Sequence, residues 1–379
     1  MEERLKILHL FTHHALTRGG AFQGLNLATM QQKRGHLVTC IFHRQPFRDV
    51  HSTLRQAFPF KIRHMNMKNP SSYLQLARFV KEEQIDIIHC HRNLALLFGY
   101  FSTRVLLRTS AHVLIINRGT TYPLPDPVTR RVFRSDGLDH IIAVSKAVKD
   151  VLVREEGISE EKISVIYGSY DASRFSPNID SSGFRRELGL SDGVPLVVCV
   201  AAVDRRKGLE YFISAAHRVK KVFPEAKFCV VGNVDDREYY LRLLAERDKL
   251  GLGDSLLFTG HRKDVPTILA ACSLSVCASV EGEGITGAIR ESLAMKKPVV
   301  TTEVSGNSEI VIKGETGWVV PPSSGEKLAE AIIEALSNPD EAERRATKGY
   351  ELVKRLCSPE TRYRQVFNLY RKLLMEKRK

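Results

Sequence analysis

No stretch of this 379-residue sequence approaches the roughly 20 uninterrupted apolar residues that a membrane-spanning helix needs, so a transmembrane protein is not expected. The amino terminus lacks a basic segment followed by a long apolar one, so we expect no secretion signal. Cysteine is scarce: there are seven, an odd number, and no pair has the spacing of a zinc-binding motif. These absences predict a globular cytoplasmic protein with reduced cysteines in its core.

Positive charge is abundant and unevenly distributed. Residues 1–170 contain 24 Lys and Arg against 14 Asp and Glu, which gives +10 of the total net charge of +14. A basic surface attracts anionic partners such as a membrane surface, an anionic glycolipid or nucleic acid, although a merely solvated surface is the alternative. The sequence has no RRM, KH or zinc-finger signature, and its basic residues are dispersed, so no nucleic-acid partner is expected.

Short β-branched segments alternate with longer helical segments along most of the chain. This alternation predicts an α/β protein with parallel sheets that helices cover on both faces. Residues 167–195 break the rhythm with glycine, proline and serine, and we take them as an interdomain connection with a boundary near residue 172. The predicted strands are residues 6–10, 37–42, 85–90, 105–110, 140–144, 163–166, 195–200, 227–231, 255–259, 274–277, 299–302 and 318–320.

Two of the strand-to-helix turns are rich in glycine, which lets a ligand approach the backbone closely. The first contains Gly19 and Gly20. The second contains Gly282, Gly284 and Gly287, which fit the pattern G-x-G-x-x-G between a strand and a helix. Because the amino end of a helix favours phosphate, the second turn predicts a site for a nucleotide diphosphate. The loop Gly282–Gly287 also permits an NAD-dependent oxidoreductase, and a sugar-nucleotide epimerase of the same fold is a second alternative.

Charged residues stand close to the second turn. The carboxylates Glu283 and Glu291 flank the start of the predicted helix, and Glu283 stands where a sugar attached to the phosphate would lie. The basic run Arg205-Arg206-Lys207 follows the strand at residues 195–200, so we expect it at the carboxyl edge of a neighbouring strand. The alternative for this run is a solvated turn.

In its ordered motifs the sequence resembles retaining glycosyltransferase family 4. The resemblance runs along nearly the whole chain, and the ordered series of motifs is more specific than any one of them. Its most specific part is residues 283–300, which resemble EG(x)6LEAMA(x)3PVV. The other matching segments are Gly19-Gly20, residues 33–38, the DIIHCH segment at 86–91, residues 143–145 with 163–175, Lys207-Gly208, residues 306–311 and residues 317–322.

The resemblance implies a GT-B fold, in which two Rossmann-like domains with parallel sheets face a central cleft. Residues 1–172 would form the acceptor-binding domain, residues 173–358 would bind the nucleotide sugar, and a helix at 359–379 would pack back on the first domain. The implied reaction is transfer of a sugar from a UDP- or GDP-type donor to a glycan or lipid-linked acceptor, of the lipopolysaccharide kind for example, with retention of configuration. The family has no agreed protein nucleophile, and none is nominated.

The resemblance also assigns roles to individual residues. Ala202 stands where many members have a phosphate-binding arginine, so Arg205 or Arg206 is expected to assist Lys207 in neutralising the diphosphate. Glu291 is expected to bind the ribose hydroxyls, and Glu283 the donor sugar. The remaining donor contacts are assigned to the backbone of Gly284, Ile285, Thr286 and Gly287, and to Gly19 and Gly20, which would approach the β-phosphate.

Three histidines each have two possible roles. His112, taken to follow the predicted strand at 105–110, matches a family histidine that would bind the donor sugar or assist the acceptor; a loop histidine is the alternative. His89 and His91, at a strand end, are as consistent with satisfied structural histidines as with ligands.

Neither a metal ion nor another cofactor is expected, because cations and helix dipoles would neutralise the diphosphate and no Asp-x-Asp follows a predicted strand. The expected partners are a nucleotide sugar and a glycan or glycolipid acceptor. Peripheral contact with an anionic membrane, at the inner face of the cell membrane, is a further hypothesis.

Overall fold

A computed structural model describes residues 3–12, 19–43, 59–282 and 284–378, and these residues form two compact units. The first unit contains residues 1–169 together with 359–379, and the second contains residues 170–358. Both are α/β units with parallel sheets, as predicted.

The first unit is built on a seven-stranded parallel sheet in the order β3-β2-β1-β4-β5-β6-β7. Its strands are β1 (Lys6–Phe11), β2 (Leu37–His43), β3 (Lys61–Met65), β4 (Ile87–His91), β5 (Val113–Arg118), β6 (His140–Ala143) and β7 (Ile163–Val165). Its helices are α1 (Gly19–Lys33), α2 (Pro70–Glu82), α3 (Asn93–Tyr100), a π-helix (Phe101–Leu106), α4 (Pro127–Arg134), α5 (Lys146–Arg154), a 3-10 turn (Glu160–Lys162) and, from the end of the chain, α13 (Pro359–Lys377).

The second unit is built on a six-stranded parallel sheet in the order β10-β9-β8-β11-β12-β13. Its strands are β8 (Leu196–Val200), β9 (Lys227–Val231), β10 (Leu256–Gly260), β11 (Leu274–Cys277), β12 (Val299–Thr302) and β13 (Trp318–Val320). Its helices are α6 (Ser182–Glu187), a 3-10 helix (Arg205–Lys207), α7 (Leu209–Val219), α8 (Arg237–Lys249), α9 (Val265–Ala271), α10 (Gly287–Ala294), a 3-10 turn (Asn307–Glu309), α11 (Gly325–Ser337) and α12 (Pro339–Cys357).

The central strands are buried along their whole length rather than on alternate residues, as expected for parallel sheets that helices cover on both faces. In β4 and β11, for example, every residue is buried. The last helix, α13, packs on the first unit through its apolar side, on which Tyr363, Phe367 and Tyr370 are buried. All seven cysteines are buried free thiols. Among the helices of the described ranges, none is long and apolar enough to cross a membrane.

The strand predicted at residues 105–110 is wrong. Helix α3 runs directly into the π-helix Phe101–Leu106, and the strand of this region is β5, which the sequence reading missed. Burial in this region follows a helical period, because Ala95, Phe98 and Ser102 are buried while Val105 and Leu106 are each 48% exposed. A central strand of a covered sheet would have buried both of the last two side chains.

Candidate functional site

The carboxyl edge of the second sheet contains the crevice where ligands bind in open α/β folds. The chain runs from β8 outward through β9 and β10, then returns to the other side of β8 and continues through β11, β12 and β13. The direction of winding therefore reverses between β8 and β11. The loops that follow these two strands separate at that point, which makes the crevice between them the expected ligand site.

The loop after β8 carries the predicted basic residues. Asp204 begins the 3-10 helix Arg205–Lys207, and its carboxylate accepts the backbone N–H of Arg206 over 2.9 Å. The carbonyl of Arg206 in turn accepts the backbone N–H of Val280 over 2.8 Å. Since Val280 lies in the loop after β11, this bond fixes the basic loop and the glycine-rich loop side by side at the switch point.

Both arginines of this loop are engaged by carboxylates. The guanidinium of Arg206 forms a forked pair with Asp204, at 2.9 and 2.6 Å, and this interaction lowers the pKa of Asp204. The Nε of Arg205 bonds Asp236 over 3.0 Å, and its guanidinium lies over the ring of Tyr239. If Arg205 or Arg206 neutralises the diphosphate in place of the arginine that is absent at Ala202, it therefore does so while also paired with an acidic side chain.

Lys207 is the half-buried third cation of the loop. Its charge is felt by Asp204 on one side and by the thiol of Cys199, in β8, on the other. This places Lys207 at the carboxyl end of β8, on the crevice described above. Its assignment to the diphosphate stays a prediction.

The glycine-rich loop after β11 is held by the segment that follows β12. Gly306 donates its N–H to the carbonyl of Gly284 over 2.8 Å, and the fully buried side chain of Asn307 accepts the N–H of Thr286 over 3.0 Å. The hydroxyl of Thr302 donates to the carbonyl of Ser279 over 2.5 Å. The backbone of the predicted residues Gly284, Ile285 and Thr286 is thus rigidly presented, whereas Glu283 lies outside the described residues.

Helix α10 begins at Gly287, immediately after this loop. Within the described residues no side chain caps its first turn, and the first N–H groups of a helix have no partner inside it. A side-chain carbon placed on Gly287 would stand 3.8 Å from Arg290 Nη2 and 4.0 Å from Glu291 Oε1. The helix start, a guanidinium and a carboxylate therefore meet around one glycine, as a diphosphate and an adjoining ribose would require.

Arg290 is a residue that the sequence reading missed. It is only 7% exposed, its Nη1 donates to the carbonyl of Ile285 over 3.0 Å, and its Nε has no hydrogen-bond partner within the described part of the chain. A buried cation at a helix start adds to the positive potential there. The sequence contains a signal for this residue, because Arg290 lies one turn beyond the glycine pattern and directly before Glu291.

Glu291 is half-buried on the same turn of α10. Burial raises the pKa of its carboxyl, and the charges of Arg290 and Arg174 oppose that rise. Hydroxyl groups that donate to a carboxylate stabilise its ionised form. Glu291 therefore lies close to the start of α10, where the predicted ribose contact requires it. The contact itself stays a prediction.

Gly19 and Gly20 stand at the start of α1 in the first unit. Both are exposed, and Gly19 has a φ of +48°, a conformation that favours glycine. They follow β1, which neighbours β4 at the switch point of the first sheet. Their predicted contact with a phosphate stays a prediction.

His112 lies at the opposite edge of its sheet from the one assumed in its prediction. It directly precedes β5, so it stands at the amino end of a strand rather than after one. It is 2% exposed, and Arg104 Nη1 donates to its Nε2 over 2.8 Å. Arg104 also forms a buried ion pair of 2.9 Å with Asp139. We therefore interpret His112 as part of a structural network and do not carry its donor or acceptor role further.

Comparison with known proteins connects this geometry to a family. Residues 17–174 match the family model described as Glycosyltransferase Family 4, and residues 180–352 match the one described as Glycosyl transferases group 1. Alpha-D-kanosaminyltransferase of Streptomyces kanamyceticus is 27% identical over 271 residues, which cover 70% of this chain and 68% of that protein. The UDP-Gal:alpha-D-GlcNAc-diphosphoundecaprenol alpha-1,3-galactosyltransferase of Escherichia coli is 23% identical over 284 residues, which cover 70% of each chain.

One solved structure has the same fold over nearly the whole of this chain. The crystal structure of the Anabaena protein HepE in complex with UDP superposes with a TM-score of 0.85 at 20% identity, covering 97% of this chain and 100% of that one. At this level of identity the likeness shows the fold.

Proposed function

Because the chain belongs to glycosyltransferase family 4 and is a glycosyltransferase with a sugar-nucleotide donor, we propose that it transfers the sugar with retention and without a catalytic metal ion. The donor is a UDP-sugar, and the acceptor is a lipid-linked or otherwise anionic glycan. The observation that supports the donor site of this proposal is the bond between the Val280 N–H and the Arg206 carbonyl, which joins the basic loop to the glycine-rich loop at the switch point.

The proposed chemistry follows from where charge develops during transfer. As the bond between the anomeric carbon and the diphosphate lengthens, negative charge accumulates on the phosphate oxygens. We infer that Lys207, Arg290 and the N–H groups at the start of α10 stabilise that charge, more strongly in the transition state than in the bound donor. The departing phosphate then accepts the proton of the acceptor hydroxyl on the same face, so no protein nucleophile is required.

Two similarities favour UDP and a lipid-linked acceptor. The Anabaena protein of the same fold was solved with UDP bound. The similar Escherichia coli protein is named for transfer from UDP-Gal to a sugar carried on diphosphoundecaprenol.

The surface of the first unit supports an anionic or membrane-bound acceptor. Helix α4 exposes Arg130, Arg131 and Arg134 together with Val128, which is 51% exposed. Arginines beside an exposed apolar side chain suit contact with anionic lipid headgroups, because each basic residue near such a surface contributes about 1 kcal/mol. We therefore propose peripheral contact of this face with an anionic membrane.

Nucleotide binding tests the donor site directly. The folded chain is screened by thermal shift, with EDTA present, against UDP, GDP, ADP, CMP and NAD. We expect UDP to stabilise the protein most, since a ligand at about 100 times its Kd stabilises by roughly 2.7 kcal/mol. Stabilisation by NAD alone would contradict the proposal and favour the oxidoreductase alternative.

The role of Lys207 is tested by comparing two lysine variants. Lys207→Ala should lower kcat/KM for transfer, or for slow donor hydrolysis, by about 10²–10³-fold with little loss of stability, as for loss of one transition-state contact. Lys227→Ala is the matched control, because Lys227 begins β9 at the opposite edge of the same sheet. Equal kcat/KM in the Lys207 variant and the parent would remove the diphosphate role.

Retention is tested by the configuration of the first product. Proton NMR during donor hydrolysis should show the anomer of the donor before mutarotation. The inverted anomer as first product would overturn the retaining mechanism while leaving the nucleotide site intact.

A further inference from the structure

One peptide group of the glycine-rich loop is held by a side chain at each of its two polar atoms. The carbonyl of Ile285 accepts a hydrogen bond from Arg290 Nη1 over 3.0 Å, and the N–H of Thr286 donates to Asn307 Oδ1 over 3.0 Å. Both atoms belong to the peptide bond between Ile285 and Thr286. Because the C=O and N–H of a trans peptide point in opposite directions, Arg290 and Asn307 hold this peptide from opposite sides. We call this arrangement the peptide clamp.

The side chain of Asn307 is itself fixed in position. Asn307 is fully buried and begins the 3-10 turn that follows β12. Its Nδ2 donates to the hydroxyl of Thr301 over 3.4 Å and lies 3.9 Å from the Sγ of Cys277. The two ends of an asparagine amide are assigned from their hydrogen bonds, and only the oxygen can accept the N–H of Thr286. Asn307 therefore presents a single, buried acceptor to the loop.

The other half of the peptide clamp orients a buried cation. Arg290 is 7% exposed, and its Nε has no hydrogen-bond partner within the described residues. Its Nη1 is anchored on the Ile285 carbonyl, while its Nη2 lies 3.8 Å from where a side-chain carbon on Gly287 would stand. A guanidinium only donates hydrogen bonds. If the peptide turned over, its N–H would face the guanidinium, and Arg290 would lose this anchor.

We propose that Asn307 is a positioning residue for sugar transfer, which acts through the peptide between Ile285 and Thr286 on Arg290. It keeps the carbonyl of this peptide directed at the guanidinium, and it thereby keeps Arg290 directed at the start of α10. The inference rests on the proposed function, because that proposal assigns Arg290 to the negative charge that develops on the diphosphate.

The peptide clamp also restricts which backbone groups contact the donor. A backbone N–H is a single donor, and that of Thr286 is used by Asn307. The carbonyl of Gly284 is likewise used, by the N–H of Gly306 over 2.8 Å. The N–H groups of the first turn of α10 have no partner inside the helix. Backbone contact with the diphosphate therefore falls to this first turn and not to the N–H of Thr286.

Amide hydrogen exchange tests the peptide clamp without any donor. In the parent the N–H of Thr286 should exchange slowly, because its acceptor is fully buried. Asn307→Leu removes the acceptor at similar volume and should speed this exchange by about tenfold or more. Thr316→Val is the matched control, because Thr316 is 3% exposed and holds another loop of the same unit, through the N–H of Ile312 and the carbonyl of Ile310. Fast exchange at Thr286 in the folded parent would overturn the proposal, whether or not the variants fold.

A double-mutant cycle tests whether Asn307 acts through Arg290. Asn307→Leu should lower kcat/KM for transfer by about 10²-fold, as for a displacement of about 1 Å at a catalytic group. In an Arg290→Met background the same substitution should cost less than about threefold, because no guanidinium remains to be positioned. Thr316→Val should leave kcat/KM unchanged in both backgrounds. An equal loss from Asn307→Leu in the two backgrounds would overturn the positioning role and leave Asn307 with a structural one.

UDP binding separates failure of this inference from failure of the proposed function. A parent that neither binds UDP nor transfers sugar refutes the proposed function, and exchange at Thr286 without UDP then decides the peptide clamp. In a parent that binds UDP, exchange should slow most at the N–H groups of Gly287 and Ala288, in the first turn of α10. Slowing confined to Thr286 would show that its N–H contacts the donor, and would overturn the proposal while leaving the donor site intact.

Discussion

A side-chain carbon on Gly208 would stand 2.3 Å from the carbonyl oxygen of Ala278, closer than any two such atoms can approach. Gly208 follows Lys207 directly and has a φ of +58°, and Ala278 follows β11. The lysine of the basic loop is therefore positioned by backbone packing against the strand that leads to the glycine-rich loop. Only glycine satisfies both the conformation and the contact.

We predict that Gly208→Ala displaces Lys207 and weakens donor binding and turnover. A shift of about 1 Å in a catalytic group can cost about 10²-fold, and the loss should appear in kcat/KM for the donor. Gly251→Ala is the control, because Gly251 also has a positive φ, +67°, but open space around its added carbon. Both variants should lose roughly 1–2 kcal/mol of stability from backbone strain. Gly208→Ala should lose more than this, because its added carbon would also meet the Ala278 carbonyl. An unchanged kcat/KM in Gly208→Ala would show that the packing does not position the lysine.

Donor affinity should depend on pH through Glu291. Burial raises the pKa of this carboxyl, so the carboxylate that would accept the ribose hydroxyls becomes protonated at a higher pH than in an exposed glutamate. We expect the Kd for UDP to rise as pH falls through this raised pKa. Titration calorimetry on the parent and on Glu291→Gln separates the two sources of pH dependence. Protonation of the nucleotide affects both proteins, whereas protonation of residue 291 affects only the parent. Parallel pH profiles in the two proteins would exclude Glu291 as the ribose ligand.

The sequence predicts the parallel α/β architecture and the glycine-rich loop because both depend on local patterns. Buried strands such as β8 are short apolar segments, and a loop between a strand and a helix is visible in the order of residues. The missed features depend on contacts between distant segments. The bond from Val280 to Arg206 joins residues 74 positions apart in the chain, and no local pattern encodes it.

Two errors have a different physical cause. Residues 105–110 have strand-like composition, yet Val105 and Leu106 end a helix whose buried face is set by packing, and residues 107–110 are irregular. That misplaced strand put His112 at the carboxyl edge of the sheet, whereas it begins β5 from the amino edge. The acidic partners of Arg205 and Arg206 were also missed, because the basic run was read for total charge and not for the neighbouring Asp204 and Asp236.

The basic face of α4 should control binding to anionic membranes. Replacing Arg130 and Arg131 with glutamate reverses the charge beside the exposed Val128. We expect flotation with phosphatidylglycerol-rich vesicles to fall by at least about tenfold, given roughly 1 kcal/mol for each basic residue at the surface. Lys348→Glu with Arg355→Glu is the charge-matched control, on the exposed side of α12 in the second unit. Equal binding by the two double variants would argue against a specific lipid-facing surface. Equal binding of the parent to anionic and to neutral vesicles would argue against it as well.

The stability of the first unit should fall in mild acid because His112 is buried in its neutral form. Burial, together with the charges of Arg104 and Lys377, lowers the pKa of His112 from 6.5 to about 3. The unfolded chain therefore takes up a proton below about pH 6.5 that the folded chain refuses, so stability is complete above that pH and is lost as pH falls toward 3. At 1.36 kcal/mol per pKa unit, the loss between about pH 7.5 and about pH 5 is roughly 2 kcal/mol.

His112→Gln isolates this contribution, since a glutamine oxygen can accept the same bond from Arg104 without titrating. Urea unfolding of the parent and the variant across that pH range should show a shallower pH dependence in the variant, by roughly the same 2 kcal/mol. His140, whose pKa is also lowered, to about 4, by burial and by Lys372 and Lys162, titrates equally in both proteins and cancels in the comparison. Identical slopes would mean that His112 takes up a proton in the folded chain as readily as in the unfolded chain, and would overturn this prediction.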